Sequence, residues 1–233
     1  MEYFIMIIIC IIFLIILKFA WQIKLKEIKK VKEIGYDKEL NEITNKLPEN
    51  KEICESILKK LENEKVEIKE EKESKSSFYF VLTNSILIAN IKDTFTRVQT
   101  IAHECLHSIQ NRRTLLFNFV FSNLYFLYFI AICIFSILKM NPFPMIFLFT
   151  LVIASFIYYA IRSYLEMDAM TKAKPLAKEY IEEQNKLTKD EIQKIMENYE
   201  IINNVLIKLT NFKLIFDCTI KIIIYCIILV ILL

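Results

Sequence analysis

Glycine, proline and histidine are scarce in this 233-residue sequence, and their scarcity excludes several classes of protein. One glycine and four prolines exclude collagen-like chains and glycine-rich linkers. They also exclude the glycine-rich loops that hold nucleotide phosphates. The formal net charge is only +3, from 30 Lys and Arg residues against 27 Asp and Glu residues. Because nucleic-acid binding needs a strongly basic surface, we expect no nucleic-acid partner.

The six cysteines do not form a recognisable pattern. None of them belongs to a C-x-x-C pair, and four lie in apolar runs. In such runs cysteine behaves as a small hydrophobic residue. The sequence therefore offers little support for a disulfide framework or for a cysteine-based metal site.

Apolar residues, in contrast, are abundant at 55% of the chain, and they are grouped in long runs. Crossing a hydrocarbon core of roughly 30 Å takes about 20 helical residues. Four segments meet this requirement, namely 3–20, 115–138, 143–161 and 214–233. We therefore predict a mostly α-helical integral membrane protein with four transmembrane helices, whose partners include the lipid bilayer.

The distribution of lysine and arginine predicts the orientation. Six lysines crowd the segment from Lys18 to Lys32, and basic residues also flank the other spans on the same side. The first span lacks the basic start and the cleavage site of a signal peptide, so we interpret it as an uncleaved anchor. By the positive-inside rule, both long polar stretches, 21–114 and 162–213, face the cytoplasm of a multi-pass cell-membrane protein.

The polar stretch 21–114 is expected to contain short helices and short strands. A lysine-rich helical stem is expected to end at Gly35 through a positive φ. Val66 and Ile68 alternate with charged residues, which predicts one strand. The runs 78–82 and 85–89 predict a hairpin. The expected β element is small and antiparallel.

A helix is expected after the hairpin and another in the second polar stretch. Asp93 or Thr94 offers an N-cap for a helix that continues to the second span. Thr188 and Glu191 form a capping-box pattern, which predicts a helix that continues into the fourth span.

The helix after the hairpin contains the pattern His103-Glu104-Cys105-Leu106-His107, the H-E-x-x-H of zinc peptidases. Residues four apart lie on one helix face, so both imidazoles can bind one Zn²⁺ while Glu104 reaches the water that the metal holds. Since the chain has only two histidines, chance would give this pattern about once in 1,250 arrangements. The alternative is a helix with two ordinary histidines.

Catalytic zinc needs a third protein ligand, and Glu166 is the best candidate. The link 139–142 between spans two and three is short, so the chain must return to the side from which span two departed. This return would bring Glu166 beside the histidine helix. An acidic residue that merely caps the end of a membrane helix is an equally good interpretation of Glu166.

The segments 103–110 and 166–173 resemble the YugP-type neutral zinc metallopeptidases of bacterial membranes. More distantly, the chain is similar to the HtpX and CAAX prenyl protease class. The resemblance implies a zincin-like cytosolic helix, zinc ligation by His103, His107 and Glu166, and acid/base catalysis by Glu104. It also implies that Asp168 orients a ligating imidazole.

The expected function is that of an integral membrane zinc metalloendopeptidase, which cleaves peptides or membrane proteins at the cytosolic membrane face. Glu104 would take a proton from the zinc-held water and return it to the leaving amine. The strand 85–89 would pair with an extended substrate or would be an ordinary scaffold strand, with equal support. The alternatives are a non-catalytic membrane adaptor and, with less support, a small transporter.

Overall fold

The computed structural model describes residues 1–71, 73–74 and 76–232, and about three quarters of the chain is helical. A small mixed sheet interrupts the helices. The elements in chain order are α1 (Glu2–Ala20), α2 (Leu25–Gly35), α3 (Lys38–Thr44), α4 (Asn50–Lys60), β1 (Glu67–Glu71), β2 (Phe78–Phe80), β3 (Ser85–Ala89), α5 (Arg97–Ile109), α6 (Arg112–Ile137), α7 (Pro144–Gln184) and α8 (Lys189–Leu232).

Four helices, α1, α6, α7 and α8, are long and apolar enough to cross a membrane. Helices α7 and α8 have 41 and 44 residues, about twice the length that a bilayer core requires. Each predicted span of this pair is therefore part of a longer helix with a polar half. Reciprocal hydrogen bonds between Thr188 and Glu191 cap the start of α8, which confirms the predicted capping box.

The chain divides into two compact units. The first comprises Met1–Ile23, Phe117–Tyr164 and Lys208–Leu233, and the second comprises Lys24–Leu116 and Leu165–Ile207. In the first unit, apolar side chains such as Tyr125, Leu151 and Tyr225 form a buried cluster. In the second unit, 25 buried residues from helices and sheet form a larger core.

The sheet of the second unit has the order β1-β3-β2. The hairpin is confirmed, because β2 pairs antiparallel with β3, and Phe80 lies opposite Ser85. The expectation of an all-antiparallel element is wrong, since β1 pairs parallel with β3. The most apolar strand takes the central position, where Ile86 and Ile88 are fully buried. Asn84 in the hairpin turn has a φ of 50°, a conformation that asparagine tolerates well.

Helix α2 ends at Gly35 as expected, but Gly35 does not take a positive φ, and the residue after it, Tyr36, has a φ of −106°. The predicted start of α5 is wrong. Helix α5 begins at Arg97 after Thr96, so neither Asp93 nor Thr94 is its N-cap.

Helix α5 also does not continue into the second predicted span. It ends at Ile109, and Gln110 is extended. The Asn111 side chain then accepts hydrogen bonds from the backbone amides of Arg113 and Thr114 at 2.9 and 3.2 Å. Such a contact caps a new helix, so Asn111 separates α5 from α6.

Arg97 anchors the start of α5 in the second unit. Its guanidinium is almost fully buried and donates to the backbone carbonyls of Thr44, Leu47 and Pro48 and to the side chain of Asn50, at 2.7–3.0 Å. Arg97 therefore joins α5 to the connection between α3 and α4, and this contact fixes the position of the helix that carries both histidines.

Candidate metal centre

Helix α5 places His103 and His107 one turn apart on the same face, as their spacing predicts. Both side chains are mostly buried, with 20% and 11% of their surface exposed. Their Nε2 atoms lie 3.1 Å apart, and the rings meet edge to face. Two imidazole nitrogens therefore point toward one place.

Helix α7 contributes the third side chain of the cluster, that of Glu166. The Oε2 atom of Glu166 lies 3.4 Å from His103 Nε2 and 3.8 Å from His107 Nε2. Downstream of Glu166, Ala169, Ala173 and Ala177 follow at intervals of four residues and are buried in the core of the second unit. Because alanine has a short side chain, the α7 backbone can approach this core closely. The predicted neighbourhood of Glu166 and the histidines is thus present in the structure.

The three potential ligand atoms have separations close to those of a tetrahedral zinc site. Ligand atoms about 2.0–2.2 Å from such an ion are roughly 3.3–3.5 Å apart. The observed separations of 3.1, 3.4 and 3.8 Å bracket this range. Two histidines and one glutamate also form a ligand set of catalytic zinc sites with one position open. Among the described residues, this is the one cluster of at least three potential ligands close enough to share an ion.

The cysteines contribute no ligand to this cluster. All six have free thiols and are buried. The Sγ atoms of Cys54 and Cys105 lie 3.6 Å apart in the core between α4 and α5.

Glu104 is buried beside the cluster, with 8% of its surface exposed. Burial raises the pKa of its carboxyl group, and the neighbouring charge of Glu166 raises it further. The two imidazoles and a hydrogen bond from the backbone amide of Tyr79 act in the opposite direction, but the pKa remains above its ordinary value. A raised pKa makes the carboxylate a stronger proton acceptor.

His107 is held by Gln110, a residue to which sequence analysis assigned no role. The Nδ1 atom of His107 lies 2.9 Å from Oε1 of Gln110. Burial alone would lower the pKa of His107, but a hydrogen bond to Glu166 and the charge of Glu166 outweigh burial and raise this pKa, and the Gln110 contact adds to the increase. The spacing of three residues at a helix end was the available signal for the Gln110 contact, but it is common in helices and therefore weak.

Asp168 does not bond directly to an imidazole as the resemblance implies, but bonds to Gln110 instead. Its Oδ2 atom accepts a hydrogen bond of 3.0 Å from Gln110, and its Oδ1 atom pairs with Lys172 at 2.5 Å. These hydrogen bonds, first that of Lys172 and then that of Gln110, lower the pKa of Asp168. The contact of Asp168 with His107 therefore passes through the Gln110 amide.

The strand 85–89 does not have a free edge. It corresponds to β3, which pairs with β1 on one side and β2 on the other. An extended peptide cannot add to a strand with two partners, so the alternative of a scaffold strand is correct. Strand β2 is an outer strand of this sheet, and its Tyr79 contacts Glu104.

Comparison with known proteins found no matching family model, curated protein or solved structure. The resemblance to membrane zinc metallopeptidases therefore depends on the two residue segments that suggested it.

Proposed function

We propose that this chain is a membrane-anchored zinc metallopeptidase that hydrolyses peptide bonds of peptides or membrane proteins. The observation that carries the proposal is the convergence of His103, His107 and Glu166, with the buried Glu104 beside them. The apolar helices α1, α6, α7 and α8 would anchor it in the cell membrane. The lysine and arginine distribution favours a cytoplasmic site.

His103, His107 and Glu166 would hold the metal. When bound, zinc supplies a Lewis acid that polarises a carbonyl group and makes water more acidic. Glu104 takes a proton from the attacking water at its carboxylate oxygen and returns it to the nitrogen of the leaving amine. The burial of Glu104, which raises its pKa, supports this double role because the carboxyl group must hold the proton between the two transfers.

Strand β2 is the part of the sheet that can align a substrate. Among the described residues β2 pairs with β3 on one edge, and an extended peptide would pair with the other edge. Phe78 and Phe80 are about half exposed on this strand and would contact apolar side chains of the peptide. Tyr79 lies between them and contacts Glu104, so a peptide along β2 would pass close to the proposed base.

The test is zinc content together with cleavage, measured on the detergent-purified full chain. We expect about one zinc per chain and cleavage of casein or of a peptide library. Glu104→Gln should retain zinc and lower the cleavage rate by about 10²–10⁴-fold, the typical contribution of an acid/base group. Cleavage at the wild-type rate in this variant would contradict the proposal.

The ligand assignment needs a matched pair of variants on α7. Glu166→Gln should lose most of the zinc because an uncharged amide is a poor ligand. Glu182→Gln makes the same change on the exposed side of α7, where the carboxylate pairs with Lys178, and should keep zinc and activity. Wild-type protein without zinc or cleavage would instead favour the membrane adaptor.

A further inference from the structure

The side chain of Gln110 contacts two different elements around the metal centre. Its Nε2 atom donates to the backbone carbonyl of Leu165 at 2.8 Å and to Oδ2 of Asp168 at 3.0 Å. Its Oε1 atom lies 2.9 Å from Nδ1 of His107. Gln110 follows the last residue of α5, whereas Leu165 and Asp168 belong to α7 and lie on either side of Glu166 in sequence.

These contacts determine the orientation of the Gln110 amide. A backbone carbonyl can only accept a hydrogen bond, so the group that faces Leu165 must be the NH₂. The reversed amide would place its oxygen against the oxygens of Leu165 and Asp168 without a hydrogen between them. The amide oxygen therefore faces His107, and because this oxygen accepts only, the Nδ1 atom of His107 must carry the hydrogen.

The orientation of the amide decides which nitrogen of His107 is available to a metal. A neutral imidazole carries one hydrogen, so protonation at Nδ1 leaves a lone pair at Nε2. Nε2 is the atom that faces His103 Nε2 and Glu166 Oε2. When both imidazoles are neutral, the hydrogen in the 3.1 Å contact between the two Nε2 atoms belongs to His103, so the two histidines take opposite tautomers.

We propose that Gln110 is a positioning residue that selects the Nδ1-protonated tautomer of His107 and ties the Glu166 segment of α7 to the end of α5. One amide would thus prepare two of the three ligands for zinc. The inference depends on the proposed function for the identity of the metal. It concerns the protein before binding, so it has readouts other than cleavage.

The first test is zinc affinity, measured by competition with a chelator. Gln110→Met keeps the length of the side chain but loses all three hydrogen bonds, and we expect zinc affinity to fall by about 10–100-fold, as for other partners of ligating histidines. Gln99→Met is the matched control, since Gln99 is a buried glutamine on α5 that bonds to Asn203 on α8. The control should bind zinc within about twofold of wild type. Equal zinc affinities of the two variants would overturn the proposal.

The second test is the tautomer itself, which a purely structural role of Gln110 would not change. The chain has only two histidines, so the imidazole ¹⁵N spectrum of the metal-free protein is simple, and His103→Gln leaves His107 as the single source of signals. At about pH 9, where imidazoles are neutral, we expect a protonated Nδ1 and an unprotonated Nε2 for His107. Gln110→Met should shift His107 toward the other tautomer. An unchanged spectrum would contradict the inference.

Gln110→Glu separates the two parts of the proposal. Its carboxylate still accepts from His107 Nδ1 but cannot donate to Leu165 and repels Asp168. We expect the wild-type tautomer of His107 with reduced zinc affinity, because the tie to α7 is lost.

The outcomes distinguish this inference from the proposed function. Weaker zinc binding in Gln110→Met, without peptide cleavage by wild type, would support the inference and refute the peptidase. Cleavage by wild type, with unchanged zinc affinity and tautomer in Gln110→Met, would refute only the inference.

Discussion

The two compact units bury different kinds of polar side chain. Among the described residues, those buried in the first unit are neutral and few, namely Asn118, Ser136, Ser155 and Thr219. The second unit buries a guanidinium, a carboxyl group and an imidazole, those of Arg97, Glu104 and His107. Because burying a charge is costly, the difference indicates that the ionisable chemistry is concentrated in the second unit.

Two buried ionisable residues of the second unit differ in their surroundings. Arg97 and Glu104 lie two turns apart on α5, and both are buried. Arg97 is surrounded by four hydrogen-bond acceptors. Glu104 has two imidazoles, another carboxylate and one backbone amide around it, and burial raises its pKa. This contrast indicates a structural role for Arg97 and agrees with the proton transfer that we propose for Glu104.

The largest effect on stability should come from Arg97→Met. This change removes the guanidinium that donates to four acceptors, and we expect the free energy of unfolding to fall by about 3 kcal/mol or more. Unfolding can be followed in one detergent by reaction of the six buried thiols with a fluorogenic maleimide. Arg113→Met, at an exposed arginine, is the control and should change little. Equal stability of the two variants would show that Arg97 does not have this structural role.

Glu104→Gln should have a smaller effect of opposite sign. Burial disfavours the charged carboxylate, so its replacement in metal-free protein should raise the free energy of unfolding by about 1 kcal/mol, a typical gain when a functional group is removed. The same thiol assay measures this change. A loss of stability close to that of Arg97→Met would mean that Glu104 is a structural residue.

The smallest effect is expected in the first unit, from Thr219→Val. The Thr219 hydroxyl donates to the carbonyl of Ile215 in its own helix at 2.9 Å. Such a bond adds little to a helix that is already hydrogen-bonded, so the change in unfolding free energy should stay within about 0.5 kcal/mol. A fall in the unfolding free energy of more than about 1 kcal/mol would show that the neutral polar groups of this unit also stabilise the fold.

Local patterns predicted the part of the candidate site that depends on one helix. The spacing of His103 and His107 is a property of α5 alone, and the short link 139–142 was enough to suggest where Glu166 returns. The functions of these residues stay predictions, but their proximity was readable because helix geometry and a short connection leave few alternatives.

Tertiary features could not be read in the same way. The central position of β3 depends on strand order, which local alternation does not contain. The role of Gln110 depends on Leu165 and Asp168, which are 55 and 58 residues away in sequence. The break at Asn111 was readable in principle, since asparagine favours the N-cap, but the continuous apolar spacing on both sides concealed it.

The alanine stripe of α7 has a consequence for the Glu166 carboxylate. Ala169, Ala173 and Ala177 leave no bulk between the α7 backbone and the core of the second unit. A leucine at any of them would displace this helix outward, and its acidic group would retreat from the two rings. Three buried methyl groups outside the candidate metal centre thereby set the distance between Glu166 and the two imidazoles.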